Sequence, residues 1–157
     1  MRHLAKLGFV ATTVAAIGFG AVCSMAQDKE AQIKTRRDTM KRQGADLKAV
    51  QDYVKGEGDQ ATALAKVNDL IALNPKIVGL FPPGTGLDQF PGKTGAKPAI
   101  WAEWDKFQKI PAELKVEEEK LATAIKSGNK EAVGAQLAAT GKNGCGACHT
   151  PYREKLS

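Results

Sequence analysis

Cys145-Gly146-Ala147-Cys148-His149, continued by Thr150-Pro151-Tyr152-Arg153, decides how the rest of the chain is read. Its C-x-x-C-H spacing is the attachment pattern of a covalently held haem. Two thiols three residues apart share one side of a helix, where each can add to a vinyl group of one porphyrin while the next imidazole reaches the iron. The run predicts haem c as cofactor, with Cys145 and Cys148 as thioether anchors and His149 as an axial iron ligand.

The other end of the chain narrows what can join them. A short basic stretch with Arg2 and Lys6 leads into an apolar run from Leu7 to Val22 and then Ser24-Met25-Ala26. That is the pattern of a secretory signal peptide over residues 1–26, cut after Ala26, which sends residues 27–157 to the periplasm as one domain. The apolar run is shorter than the roughly 20 residues of a spanning helix, and bulky Val22 before Cys23 disfavours lipid attachment. No stable membrane insertion is expected after cleavage.

Cleavage leaves 131 of the 157 residues, with one histidine, one methionine (Met40) and two cysteines. Losing Arg2 and Lys6 lowers the net charge from +6 to +4, and two haem propionates would bring it to about +2. A charge this modest with 6% aromatics argues against nucleic-acid binding. The basic excess reads as solvated surface or a docking face for an acidic redox partner. A zinc site would be one ligand short, and a thiol–disulfide enzyme would carry C-x-x-C at a helix start after a strand. Thioether bonds also keep the pair from forming a disulfide in an oxidising compartment.

Helical periodicity dominates what lies between. Over about Lys29 to Val54, Ile33, Met40, Leu47 and Val54 recur every seven residues, the spacing of a bundle seam that turns Met40 inward. A second helix, about Asp59 to Leu73, stops at Asn74-Pro75. From Phe81 to Ala96 a Gly- and Pro-rich connection is long enough to cover a cofactor edge. A third helix from Pro98 carries Trp101, Trp104, Phe107, Leu114, Leu121 and Ile125 as core, with a kink expected at Pro111. The fourth is expected over about Lys130 to Leu156, and small residues (Gly141, Gly144, Gly146, Ala147) crowd its attachment run. These elements predict an all-α, antiparallel four-helix bundle with the haem bound between helices.

In such a bundle the first and fourth helices run antiparallel. Met40 then sits about 16 Å from one end of the first and His149 about 10 Å from the matching end of the fourth, so they fall within about a turn of each other. Spacing alone leaves the sixth iron position to Met40, to water, to a lysine or to nothing, and leaves Met40 free to be core filler.

Taken together, Ile33 to Lys41 in the first helix, Lys97-Pro98-Ala99-Ile100-Trp101 opening the third and Cys145 to Arg153 in the fourth resemble the class II c-type cytochromes, the cytochrome c′ family, over essentially the whole mature chain. Within that family a methionine at the Met40 position marks a low-spin, six-coordinate branch, the cytochrome c-556-like proteins. The resemblance therefore implies Met40 as sixth ligand opposite His149. It also implies Arg36 and Arg37 near the haem propionates and Arg153 on the histidine side of the haem. The implied function is a periplasmic one-electron carrier, not an enzyme, with an unidentified donor and acceptor, as a monomer or homodimer. The alternative is a five-coordinate cytochrome c′ that binds nitric oxide or carbon monoxide. Pro151 departs from the family pattern, because it removes a helical donor close to His149.

Overall fold

The computed structural model describes residues 19–156, with side chains from Asp28 onward. The expected export segment, residues 1–26, lies outside the described side chains, and residues 1–18 lie outside the described structure. In chain order the elements are α1 (Phe19–Lys55), α2 (Gln60–Leu73), two 3₁₀ turns (Asn74–Lys76 and Val78–Leu80), α3 (Ala99–Ala102), α4 (Trp104–Phe107), α5 (Ile110–Lys126), α6 (Lys130–Ala139), a π-helical turn (Thr140–Cys145) and α7 (Gly146–Tyr152). The last three run on without a break, so α1, α2, α5 and this composite helix are the four members of the expected bundle. The end of α1 lies beside the start of α6, where the Lys130 ammonium sits 5.2 Å over the Tyr53 ring. The two are antiparallel.

Side-chain chemistry sets the helix ends. Asp59 caps α2 by accepting from the Thr62 backbone N–H at 2.8 Å and its hydroxyl at 2.7 Å, and Asn129 caps α6 through Ala132 N–H at 3.0 Å. Pro111 differs from expectation. It occupies the first turn of α5, where its missing N–H would have no helical partner, so the third helix arrives as two single turns and then a fresh start rather than as one kinked rod. The fourth helix ends at Tyr152, four residues earlier than expected, because Arg153 is extended (φ −123°, ψ 137°).

The interior divides into two apolar clusters. Away from the attachment run, Val50, Tyr53, Val67, Leu121, Ile125 and Val133 close the bundle; near it, Ile77, Phe81, Ile100, Phe107, Leu114 and Tyr152 do so. Phe107 is the pivot of the second cluster, edge-on to Phe81 at 4.8 Å and to Tyr152 at 5.4 Å and stacked on Trp104 at 5.6 Å. The α1 seam is less apolar than its periodicity implies. Met40, Leu47 and Val54 are partly buried, whereas Arg36 and Asp46 are buried on the same helix.

One polar pair lies deep between elements. Glu118 on α5 is 2% exposed and accepts a 2.9 Å hydrogen bond from the amide of Asn74, 1% exposed. Burial pushes the Glu118 carboxyl up to about 7; the Asn74 hydrogen bond opposes this and Glu119 adds to it. The folded protein therefore holds a proton that the unfolded chain releases near 4.5, so this group's contribution to stability falls as pH rises from about 4.5 to about 7 and is level above. Glu118→Gln removes the titration. In urea melts of the two holoproteins, the variant should gain about 3 kcal/mol relative to the parent across that window. Parallel stability curves would contradict the assignment.

Candidate functional site

The π turn is the local event that shapes the site. Thr140 donates its hydroxyl to Gln136 O at 2.9 Å and to Glu117 O at 3.3 Å, and the Gly146 N–H reaches back five residues to Gly141 O. One residue beyond the α-helical count is thereby absorbed just before Cys148 and His149. Gly144 permits it, because a Cβ there would collide with the Leu114 side chain of α5. The wide turn can thus press backbone-close against α5.

Beyond the turn, Cys145 and Cys148 are partly buried and pack against the Phe107 cluster. Burial pushes the Cys148 thiol up to about 11, helped by the neighbouring Cys145, and pushes Cys145 up as well. Both are therefore protonated, apolar-facing thiols. Burial, and then the Arg153 guanidinium, lower the proton affinity of His149, which leaves its imidazole neutral with a lone pair to give. Arg153 Nη1 lies 3.4 Å from His149 Nδ1.

A cavity of about 360 Å³ opens beside these residues. Cys148 and His149 of α7 line it together with Met40, Arg36, Arg37 and Lys41 of α1, and Phe81, Ala96, Ile100 and Tyr152 add apolar surface. Arg153 stands at the rim. Six of the seven residues singled out from sequence meet at this one cavity. Cys145 is the exception, set one turn back in the apolar cluster.

The sequence offers the connection from Phe81 to Ala96 as a cover for the cofactor edge; what it did not reveal is how that roof is fastened. Arg36, only 4% exposed, donates to Leu80 O (3.1 Å), Thr85 Oγ1 (3.0 Å), Thr85 O (2.8 Å) and Thr94 Oγ1 (2.8 Å), and its guanidinium sits 4.7 Å over the Phe81 ring. Three of these hydrogen bonds hold the long connection onto α1, and the fourth holds the 3₁₀ turn that leads into it. Arg37, exposed, adds one to Lys93 O at 3.2 Å. The connection is fastened on its other side by the C-terminal tail: Glu154 N–H donates to Gly95 O at 2.7 Å and Lys97 N–H to Tyr152 O at 3.0 Å. Gly95 allows this approach, since a Cβ would strike Glu154 O. Thr85 and Thr94 follow no helical or strand period, so only the crowding of turn residues hinted at the roof.

The residues fit a haem. The cavity joins apolar walls to a neutral imidazole and a thiol, and Arg36 is a buried cation with no ion-pair partner among the described residues, its pKa lowered to about 10 by burial. A propionate carboxylate is the counter-charge it lacks.

Known proteins point the same way. Residues 31–153 match the family model described as cytochrome C′. A cytochrome c′ of Cereibacter sphaeroides is 33% identical over 93% of this chain and 96% of its own. A cytochrome c-556 of Agrobacterium fabrum is 31% identical over 92% of this chain and 95% of its own. Among solved structures, the nitrosyl complex of a cytochrome c′ variant from Alcaligenes xylosoxidans superposes with TM-score 0.66 at 26% identity, covering 80% of this chain and 97% of that one.

Arg36→Met should free the roof while sparing the bundle. The carbonyls of Leu80 and Thr85 lose their donors, so local opening of the roof should become easier by about 2 kcal/mol while unfolding of the bundle itself is little changed. Hydrogen exchange at the Leu87 amide, bonded to Ala96 O at 2.8 Å, should quicken while that of Val50 and Leu121 does not. Unchanged protection at Leu87 would mean that the tail alone holds the roof.

Proposed function

The chain belongs to the cytochrome c′ family and carries covalently attached haem c, and from that premise we propose that it is an exported one-electron carrier with its iron held low-spin between His149 and Met40. Bound haem c supplies a ferric/ferrous couple. The observation that carries the reading is that Met40 and His149, the sole thioether and the sole imidazole among the described side chains, line one cavity.

Each residue then has a task set by its surroundings. His149 gives a neutral imidazole, since its burial and Arg153 both oppose protonation. Met40 projects from α1 rather than from a loop, and it packs against the Phe107 cluster. Two ligands on rigid helices keep one arrangement in both oxidation states, and a thioether favours the reduced one. Arg36 and Arg37 supply positive charge for the propionates, and Arg153 orients the imidazole. Cys145 and Cys148 fix the porphyrin to α7 and the turn before it. Residues 27–157 form the exported domain in the periplasm, after loss of residues 1–26. No helix of the described residues is long and apolar enough to cross a membrane.

A second reading has its own support, the nitrosyl complex named for the Alcaligenes xylosoxidans relative. Under it, Met40 packs along the cavity wall and leaves the sixth position to nitric oxide or carbon monoxide.

Spectra separate the two. The oxidised holoprotein should show low-spin bands with a sulfur-to-iron charge-transfer feature. Met40→Leu should abolish that feature, turn the spectrum high-spin and open the iron to rapid carbon monoxide binding. Low-spin spectra retained in the variant would remove Met40 as ligand, and a parent that is already high-spin would establish the second reading.

A further inference from the structure

We propose that Glu118 is a proton site coupled to the haem: when the iron takes up an electron, the Glu118 carboxyl takes up a proton. The coupling needs the haem and not Met40 as its sixth ligand.

Glu118 lies outside the haem cavity, in the middle of α5, and its surroundings are unusual for an acid. It is 2% exposed, accepts one hydrogen bond from the Asn74 amide at 2.9 Å and has no cation within ion-pair distance among the described residues. Its neighbours on α5 are engaged elsewhere, Glu117 with Lys120 (2.7 Å) and Gln136 (2.8 Å) and Glu119 with Lys115 (3.5 Å). The elements packed against α5 bring no counter-charge. Lys66 and Asp69 of α2 join Arg42 and Asp46 of α1, while Lys76 of the first 3₁₀ turn, Lys142 of the π turn and Lys130 and Glu131 of α6 are exposed.

The feature that Glu118 does face is the attachment run. One turn earlier on α5, Leu114 is the side chain for which Gly144 leaves room, and the carbonyl beside Glu118, Glu117 O, accepts from Thr140 at 3.3 Å. Cys145 follows Gly144 in the same π turn. Charge on Glu118 raises the proton affinity of the Cys145 thiol, so the two groups sense each other through the interior. In the holoprotein that sulfur is bonded to the porphyrin, and a carboxylate felt at Cys145 is felt by the haem.

The sign follows from charge. An electron on the iron adds negative charge and disfavours a second one on Glu118, so the reduced protein holds the carboxyl proton more tightly than the oxidised protein. Burial already places this group's titration at about 7, where a modest push shifts its protonation. Between the two oxidation states' values, reduction binds a proton and oxidation releases it, so the potential falls as pH rises there and Glu118 leaves it level on either side. The balance is simple: a one-electron donor reduces ferric iron, and a proton from water converts the carboxylate to a carboxylic acid.

Spectroelectrochemical titration of the holoprotein from about pH 5 to about pH 9 tests the coupling. Over that range the parent potential should fall by about 30 mV more than that of Glu118→Gln, which is about a threefold change in proton affinity at about 59 mV per tenfold. Reduced-minus-oxidised infrared spectra at about pH 7 should show the parent gaining a carboxylic acid C=O band that moves in D₂O and is missing from Glu118→Gln, which keeps both propionates. Asn74→Leu removes the donor that favours the carboxylate, so it should carry the sloping window to higher pH without flattening it, and it stands as the test should Glu118→Gln fail to fold. Parallel potential curves, an infrared band that survives Glu118→Gln, or a window that Asn74→Leu leaves in place overturns the proposal. A high-spin parent would end the carrier reading alone, because the proton follows the charge on the iron and not its sixth ligand.

Discussion

A guanidinium taken out of water without a carboxylate to meet it is costly, and this protein builds its site around one. Arg36 is a full positive charge at 4% exposure, stabilised by two carbonyls, two hydroxyls and an aromatic face rather than by an acid. Neutral acceptors satisfy its hydrogen bonds but leave the charge itself uncancelled. Two consequences follow from that one arrangement. The connection over residues 81–98 is tied to α1, which gives the cavity a roof, and the cavity acquires a standing preference for an anionic group. Stability and binding preference thus come from the same side chain.

The opposite wall depends on backbone rather than charge. An uninterrupted α-helix over residues 130–152 would carry Cys148 and His149 round the axis to different bearings. The π turn delays them by one residue, and it fits only because Gly144 has no side chain to meet Leu114. Thr140 stabilises the widened turn from outside the ladder, through Glu117 O on α5. Helix α5 therefore sets the angle of the attachment run, and the aromatic cluster around Phe107 sets the depth of α5 at that end.

The fold was largely legible because its determinants are local and repeated. Heptad spacing on α1, Asp59 ahead of α2, Pro75 after it and Gly128 between α5 and α6 each state an element boundary in the residues beside it. Pro111 misled only about which side of a break it stood on, since proline is compatible with both a kink and a first turn. The site was legible as far as its chemistry is carried by rare residues: one imidazole, one thioether and a spaced cysteine pair. The fastening of its roof was not, because Thr85 and Thr94 are ordinary loop residues whose role appears only when Arg36, 49 and 58 residues away in sequence, is brought to them. Glu118 and Asn74 escaped for the same reason. On a periodic helix a glutamate reads as solvated surface until a second element covers it.

The two straps on the roof divide the work of holding the site. One runs to α1 through Arg36 and carries charge; the other runs to the tail through Gly95 and Glu154 and is purely backbone. The proposed axial pair lies on the same two supports, Met40 one turn beyond Arg36 and His149 five residues before Glu154. The hydrogen bonds that close the cavity are thus also those that fix its two walls relative to each other. On the α1 side the strap is itself a charge, Arg36; on the tail side the strap is backbone, with the charged Arg153 and Glu154 side chains at the cavity beside it. The two supports thus differ in kind: His149 sits on the side held by backbone hydrogen bonds, with the Arg153 guanidinium beside it, and Met40 on the side held by the hydroxyls and carbonyls around Arg36.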